Sequence, residues 1–575
     1  MSMTGAQRIV KSLEAQNVAF TFGLPGTHNL ELIDALIDSR ISNILVTTEL
    51  CAAFMADGYA RATGRVGVCI AIPGPGLTNM ITGLAEALLD SSPLVAIVVA
   101  TARDGFAFHT HEIRQLEAVA PVVKGVFRID DVAAVPDIIG RAFHLADSDE
   151  PGPVVVEVGY AVLRDIISDS ASPARAPEIT PPTVAEADVR QVVDMLTNAR
   201  QCGLYVGKGA QSAAESVRRL AERLSAPVAT TISGKGVIAE DHDLAVGFGF
   251  GPAGLKTARE IFKGCDTVLA LGVRFSEMSA GKWLKLPEKW IHIDRSRASL
   301  NRNYRAPLAL CCDVETALTA ILARLESKDG TAGRHHTGMV ESIKRHRQKH
   351  LKKLREARSE KGIHPSRFFY RLWQALSGQP SILVTDCGAH QLWAVTDYCA
   401  QASNSFLSPS DYQAMGFGIP AAIGAALGCP EKCTVCVCGD GGFLMTGFEL
   451  LTAVRHNLNL AVVVFNDGAL GHIAGSQRRF YGRTDSVTLQ NPDFAQLAAA
   501  FGVGYQAVTD EARLDAGLAR IKQNRGIVIL DVQIDYQDWP DYMKGVVGAA
   551  WRQLPLREKL DRLADRAMRL VRYGG

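Results

Sequence analysis

Short apolar runs recur along this chain, each followed by a longer stretch whose apolar positions return at helical spacing. The first runs are Val18–Phe22, Asn43–Val46, Val66–Ala71 and Leu94–Val99, with amphipathic stretches between them. They predict a strand–helix alternation over residues 1–165. The Pro-, Ala- and Ser-rich stretch Ser168–Thr183 interrupts it and reads as a linker. A second block, 187–327, contains Leu204-Tyr205-Val206-Gly207-Lys208-Gly209-Ala210 running into a helix, then the strands Thr267–Leu271 and Trp290–Asp294. A third block, 362–545, contains the apolar runs Cys433–Cys438 and Leu460–Phe465. Residues 546–575 form a helical tail, where Trp551 to Tyr573 mixes Leu with Arg and Asp. That tail suits a lid, a dimer-packing helix or a surface anchor equally. Alternating βα units throughout predict an α/β chain of three doubly wound parallel-sheet domains.

Length agrees, because 575 residues exceed what one core accommodates. Charge narrows the function. With 61 Lys and Arg against 60 Asp and Glu, the net charge of +1 gives no reason to expect nucleic acid or an anionic membrane as partner. A basic stretch lies between about 328 and 360, including Lys344-Arg345-His346-Arg347. It lacks interleaved aromatic residues for stacking bases and reads as a solvated linker helix. No apolar run approaches the roughly 18 residues that span a bilayer. Met1-Ser2-Met3-Thr4 leads straight into a helical pattern without a signal-peptide layout, and the expected location is cytoplasmic. Among the twelve cysteines, Cys429, Cys433, Cys436 and Cys438 cluster in a way that superficially resembles a zinc site. The last three lie on one apolar strand, so their side chains alternate between faces, and buried reduced thiols are expected instead.

The most informative chemistry sits where the third block's strands end. Gly439-Asp440-Gly441 closes one apolar run, and Asn466-Asp467-Gly468 closes the next. In a parallel sheet the carboxyl ends of strands are where phosphate ligands bind. The Asp440 carboxylate, the Asn466 amide oxygen and a backbone carbonyl at Gly468 suit a six-coordinate Mg²⁺ that takes its remaining ligands from a diphosphate and water. In residue types and spacing this segment resembles the diphosphate-anchoring motif of thiamine-diphosphate (ThDP) enzymes. Across nearly the whole chain the resemblance is nearest to their acetolactate-synthase-like branch.

That resemblance implies further residues. The first domain would bind the aminopyrimidine ring and the third the diphosphate, so that the site forms between two chains of a homodimer or homotetramer. Glu49, after Thr47-Thr48, falls where the family places its cofactor-activating glutamate, which shares a proton with the pyrimidine N1′. Pro73-Gly74-Pro75-Gly76-Leu77-Thr78-Asn79 resembles the loop beside pyrimidine and substrate, giving Pro73 and Asn79 as cofactor contacts; a purely structural turn is the alternative. Gly388-Ala389-His390 resembles the segment whose histidine contacts the diphosphate. Met415 matches the large apolar residue that bends the cofactor. Gln413 stands where relatives often carry glycine, and its carbonyl is expected to accept from the 4′-amino group. Gly439, Gly441, Gly442, Leu470, Gly471 and His472 complete the expected cofactor contacts.

The reaction implied is carbon–carbon bond cleavage or ligation on a 2-keto acid, acyloin or diketone, through an enamine. The pocket departs from that of true acetolactate synthase, because Ser476 stands where those enzymes carry a tryptophan. Gln115 and Lys124 keep the family pattern. His28 falls where benzaldehyde-lyase-like relatives have a pocket histidine, and His109 and His111 add candidates. With Glu49 and Gln115, these histidines make up the expected catalytic set. Acetolactate synthase itself, a 2-hydroxyacyl-CoA lyase or oxalyl-CoA decarboxylase, and a non-catalytic cofactor-binding relative are the alternatives. Leu271-Gly272-Val273-Arg274-Phe275-Ser276 partly echoes a flavin-binding stretch, but neighbouring residues diverge, so FAD or ADP on the central domain is not favoured.

Overall fold

A computed structural model describes residues 2–102, 106, 108–168, 184–280, 284–327, 337–523, 525–536, 538–553, 555, 558 and 559. Nearly all of the expected linker and most of the expected helical tail lie outside these residues.

Three six-stranded sheets carry the fold. The first runs Ser42–Leu45, Phe20–Gly23, Gly67–Ala71, Leu94–Val99, Pro153–Val158, Gly125–Ile129, and every pairing in it is parallel. Its central strands are apolar on both faces, as a sheet covered by helices on each side requires. The second runs Ala245–Phe248, Val228–Thr230, Cys202–Val206, Thr267–Leu271, Lys289–Asp294, Leu308–Cys311, also wholly parallel. The third runs Phe406–Leu407, Ser381–Thr385, Cys433–Gly439, Leu460–Asn466, Ile527–Gln533, Gly504–Val508. The fold is thus the three-sheet α/β architecture that the hydrophobic pattern predicts. Ser2–Thr4 also lies antiparallel to Ile166–Ser168, three residues a side and too short to register as a periodic run.

The residues gather into two compact units, one within 1–180, 409–436 and 445–460, the other within 181–408, 437–444 and 461–575. In the first, the helix Glu49–Thr63 is buried on almost every side, charged residues included, so it shows no polar stripe. It packs on the helix Gly418–Gly428 with backbones nearly touching. A side chain on Gly58 would strike the Ala421 carbonyl, and one on Gly424 the Met55 carbonyl.

In the second unit, the basic stretch is more than a solvated linker. Thr337–Glu356 is helical, with Ile343 and Leu354 buried. Its Arg347 guanidinium donates to the carbonyls of Asp241 (2.8 Å), Ala245 (2.7 Å) and His242. The helix Asp541–Gln553 also docks there: Tyr542 is buried against Phe248, and Gly545 abuts the Pro252 carbonyl. All twelve cysteines are free, with Cys429, Cys433, Cys436 and Cys438 buried. Among the described residues no group of three or more His, Cys, Asp or Glu side chains is placed to hold a metal. None of their helices is long and apolar enough to cross a membrane.

Candidate active site

In the first unit the candidates leave the carboxyl ends of four strands of one parallel sheet. Phe20–Gly23 leads to His28, Ser42–Leu45 to Glu49, Gly67–Ala71 to Pro73–Asn79, and Leu94–Val99 toward His109 and His111. The strand order reverses direction between Phe20–Gly23 and Gly67–Ala71, so this edge includes the sheet's switch point.

Glu49 opens its helix behind Thr48, whose hydroxyl caps the Cys51 amide at 3.3 Å. It is buried, and Asn79 Nδ2 donates to its Oε2 at 3.1 Å. Gly76 lies against the other carboxylate oxygen, where a Cβ would sit 3.3 Å away. The preceding Thr47 is pinned by the fully buried Glu449, which accepts from its amide at 3.1 Å and from its hydroxyl.

His28 and His111 face each other, ring centroids 5.2 Å apart, and neither Nδ1 has a hydrogen-bond partner among the described residues. Burial and the neighbouring His111 hold the His28 imidazole below its ordinary range. His111 has φ +69°, and its carbonyl lies against Gly74, which itself has φ +63° and leaves no room for a side chain. The His109 ring lies against Phe106 at 5.7 Å. Gln115 is buried; its Oε1 accepts from the Gly74 amide (3.2 Å) and its Nε2 donates to Glu157 (2.7 Å). The structure thus places the Gln115 amide as an anchor of the 73–76 loop. Lys124 donates to the carbonyls of Leu145 and Ser148, at the end of the helix Val135–Asp147.

Also in this unit, Gln413 has φ +64°, a conformation natural to glycine. Its side chain compensates, donating to the carbonyls of Pro409 (2.8 Å) and Ser410 (2.6 Å). Met415 is half-buried, and the following Gly416 has φ +83°.

In the second unit three neighbouring strands of one sheet deliver His390, Asp440 and Asn466 to a common edge. Gly439 ends its strand and Asp440 begins a short helix, Asp440–Thr446, so the Gly-Asp-Gly is a strand-to-helix junction. Asp440 Oδ2 and Asn466 Oδ1 converge on a single donor, Asn491 Nδ2, at 2.8 and 2.9 Å. Two oxygens focused on one small point are what a bound cation needs. His390 is buried with its Nε2 unpartnered, and burial drives its pKa down to about 4, leaving a neutral imidazole. Gly388, at φ +151°, and Gly439 border that ring. Gly442 leaves no room for a Cβ beside Asp386, nor Gly471 beside Asp467. Gly468 has φ +65° with open space around it. Leu470, Gly471 and His472 enter the helix Gly471–Tyr481, and burial lowers the His472 pKa. One oxygen pair, one orphaned imidazole nitrogen and a bed of glycines fit a metal-bound diphosphate.

Two residues here had no visible role in the sequence. Asn491 precedes Pro492 and the Asp493 helix cap, so it reads as an ordinary turn. Trp539 lays its indole against the Gly471–Tyr481 helix: a Cβ on Gly475 would sit 3.3 Å from its Nε1, and the Arg479 guanidinium lies 4.8 Å over its ring. An indole thus reaches the residue next to Ser476 from a different segment.

On the central sheet, Gly207 and Gly209 press backbone to backbone against Gly272. That close approach requires glycine at these positions. Phe275, at φ +55°, is buried among Tyr205, Trp290, His292 and Tyr304.

Comparison with known proteins identifies the family. The thiamine pyrophosphate enzyme N-terminal TPP binding domain, central domain and C-terminal TPP binding domain match residues 3–118, 189–321 and 386–532. The acetolactate synthase isozyme 2 large subunit of Escherichia coli (strain K12) is 35% identical over 555 residues, covering 94% of this chain and 97% of its own. The probable acetolactate synthase large subunit of Methanocaldococcus jannaschii is 34% identical over 560 residues, covering 93% and 92%. Acetolactate synthase 1, chloroplastic, of Nicotiana tabacum is 32% identical over 558 residues, covering 93% and 82%. The chain therefore belongs to the thiamine pyrophosphate enzymes, in the acetolactate-synthase-like branch of ThDP-dependent carboligases.

Proposed function

We propose that this enzyme makes or breaks a carbon–carbon bond next to the carbonyl of a 2-keto acid, acyloin or diketone, with ThDP held through Mg²⁺ in a homodimer or dimer of dimers. The observation that carries the metal-bound cofactor is the convergence of Asp440 Oδ2 and Asn466 Oδ1 on one point. Asp440, Asn466 and the Gly468 carbonyl would hold the cation, and His390 Nε2 would donate to or accept from the diphosphate or its water. When bound, ThDP supplies a thiazolium that stabilises negative charge at the former carbonyl carbon. The protein manages protons and position. Glu49, buried and oriented by Asn79, would share a proton with the pyrimidine N1′. Met415 and the Gln413 carbonyl would contact the pyrimidine ring and position it. His28, kept neutral by burial and by His111, accepts a proton from a substrate hydroxyl during cleavage and returns it during ligation. His28 and His111 form that pair.

A second reading, condensation of two pyruvates to acetolactate, is favoured by the relatives' names. Ser476 and the indole of Trp539 argue for a differently shaped acceptor pocket. An NMR time course with ThDP, Mg²⁺ and pyruvate, with and without an aldehyde acceptor, separates the two. Acetolactate from pyruvate alone would establish the second. Cleavage of acyloins or diketones without pyruvate loss would establish the first. Glu49→Gln should slow either reaction by about 10²–10⁴-fold, the range for a positioned proton-transfer group. Native activity in Glu49→Gln would remove Glu49 from the mechanism.

This reading assigns no role to a flavin, and the helix Asp541–Gln553 lies against Phe248 and Pro252 through Tyr542 and Gly545. The purified protein should lack flavin absorbance, and a flavin released on denaturation would reverse that expectation.

A further inference from the structure

A second buried polar system lies in the first unit, away from any proton the mechanism uses. Arg61, on the helix Glu49–Thr63, is buried and grips Asp57 with two bonds of 2.7 Å, from Nε to Oδ1 and from a terminal nitrogen to Oδ2. Its other terminal nitrogen donates to Asp90 Oδ2 at 2.9 Å. Glu86 Oε1 lies 3.6 Å from the guanidinium, and the Phe417 ring 4.9 Å below it. Asp57, Glu86 and Asp90 are all buried as well. Three carboxyl groups against one guanidinium is a costly arrangement inside a protein, and it needs a compensating set of donors.

Those donors are the backbone amides of Ser410, Asp411 and Ala414. Ser410 N–H donates to Asp90 Oδ2 at 2.7 Å, Asp411 N–H to Asp90 Oδ1 at 2.9 Å, and Ala414 N–H to Glu86 Oε2 at 2.9 Å. The segment so held contains Gln413 in its left-handed conformation and leads directly to Met415. Left-handed backbone at a non-glycine residue costs free energy and persists only where its surroundings over-determine it. Here side-chain bonds from Gln413 act from within the loop, and the Glu86 and Asp90 carboxyls act from outside.

We infer that Glu86 and Asp90, locked by Arg61 and Asp57, are positioning residues that hold the 410–414 backbone so that Met415 and the Gln413 carbonyl meet the cofactor's pyrimidine ring. The inference rests on the proposed placing of residues 413–415 against ThDP. It assigns no contact between these acids and substrate or cofactor. Burial and the adjacent Asp90 charge raise the Glu86 carboxyl well above the usual carboxylate range, and Glu86→Gln keeps its shape and an oxygen that accepts from the Ala414 amide.

The test is ThDP affinity of the intact oligomer at fixed Mg²⁺, followed by intrinsic fluorescence, with inorganic pyrophosphate as a competing ligand for the diphosphate half alone. Glu86→Met, which keeps side-chain length but removes the acceptor, should raise the ThDP dissociation constant on the order of tenfold, the effect of one lost hydrogen bond. It should leave pyrophosphate binding unchanged and speed hydrogen exchange at the Ala414 amide. Asp90→Asn, a milder change should the first fold poorly, should weaken ThDP severalfold in the same selective way. Glu86→Gln should bind as the native protein does. Native ThDP affinity in both Glu86→Met and Asp90→Asn, with affinity lost in Met415→Ala, would overturn the positioning role. Native affinity in Met415→Ala would instead overturn the placing of the loop against the cofactor.

Discussion

At position 413 a glutamine occupies backbone space that suits glycine, and the side chain that creates the strain also offsets it. The left-handed region costs an L-residue about 1–2 kcal/mol. Two hydrogen bonds from Nε2 to Pro409 and Ser410 carbonyls are of the size to balance that. Gln413→Gly should therefore leave the apparent Tm close to native, since strain and compensation vanish together. Gln413→Val keeps the strain, adds β-branching and loses both bonds, and should destabilise by about 2 kcal/mol or more in thermal melts. Equal melting of the two variants would show that the conformation is not strained. Titration at the same scale has a definite sign. Burial lowers the pKa of His292 from 6.5 to about 4, partly countered by its 2.9 Å bond to the Val273 carbonyl. Between those values the unfolded chain binds a proton that the folded one refuses. Stability from this group is full above about pH 6.5 and lost as pH falls toward 4, by roughly 3 kcal/mol in all. His292→Gln, which keeps a donor for Val273, should flatten the acid side of a plot of Tm against pH. An unchanged slope would assign the acid sensitivity elsewhere.

Among the elements, the most apolar strands were readable because the signal is local. Leu94–Val99 and Thr267–Leu271 are apolar runs bounded by turn residues, and the structure begins and ends those strands at the same positions. Asp440 and Asn466 were readable for a related reason: each follows its own strand directly, and neighbouring parallel strands end at one edge. Partners brought in by tertiary packing leave no such trace. Asn491 joins Asp440 from 51 residues away, and Asp90 reaches Asp411 across 321. Trp539 is likewise invisible beside Gly475 until the chain folds. The buried Lys235 illustrates the same limit. Its ammonium bonds both Glu240 oxygens, at 2.7 and 2.6 Å, and the carbonyls of Val395 and Tyr398. It thereby fastens the segment after Val228–Thr230 to the end of the helix Ala389–Asp397. Removing one member of such a buried pair strands the other charge, at about 3–5 kcal/mol. Lys235→Met should lower the apparent Tm accordingly, and adding Glu240→Gln, which still accepts from the Ala400 amide, should recover part of the loss. If the double variant melts below the single one, the pair's cost is not the stranded charge.

At the scale of the whole molecule, we propose that the site takes residues from two chains. Glu49 and the Asp440–Asn466 pair lie in different compact units of the chain. The proposal takes the activating carboxylate from one protomer and the metal-bound diphosphate from its partner. This arrangement can be tested by complementation. Glu49→Gln and Asp440→Ala should each be inactive alone, the first without proton transfer to the cofactor and the second without its metal. Mixed after reversible dissociation, they form hybrid dimers in which one of the two sites receives both native residues. The other site receives both substitutions. With random exchange half of the dimers are hybrids, each with one competent site, so activity should return to about a quarter of native for a twofold-symmetric assembly. Sites built within single chains would predict no recovery, since every chain in the mixture carries a lesion. The same hybrids give an independent readout in cofactor binding, because the number of tight ThDP sites should follow the number of chains with native Asp440, whichever residue stands at 49. Restored turnover with that stoichiometry would establish a shared site. ThDP sites that tracked Glu49 instead would mean that the first domain, not the third, carries the diphosphate.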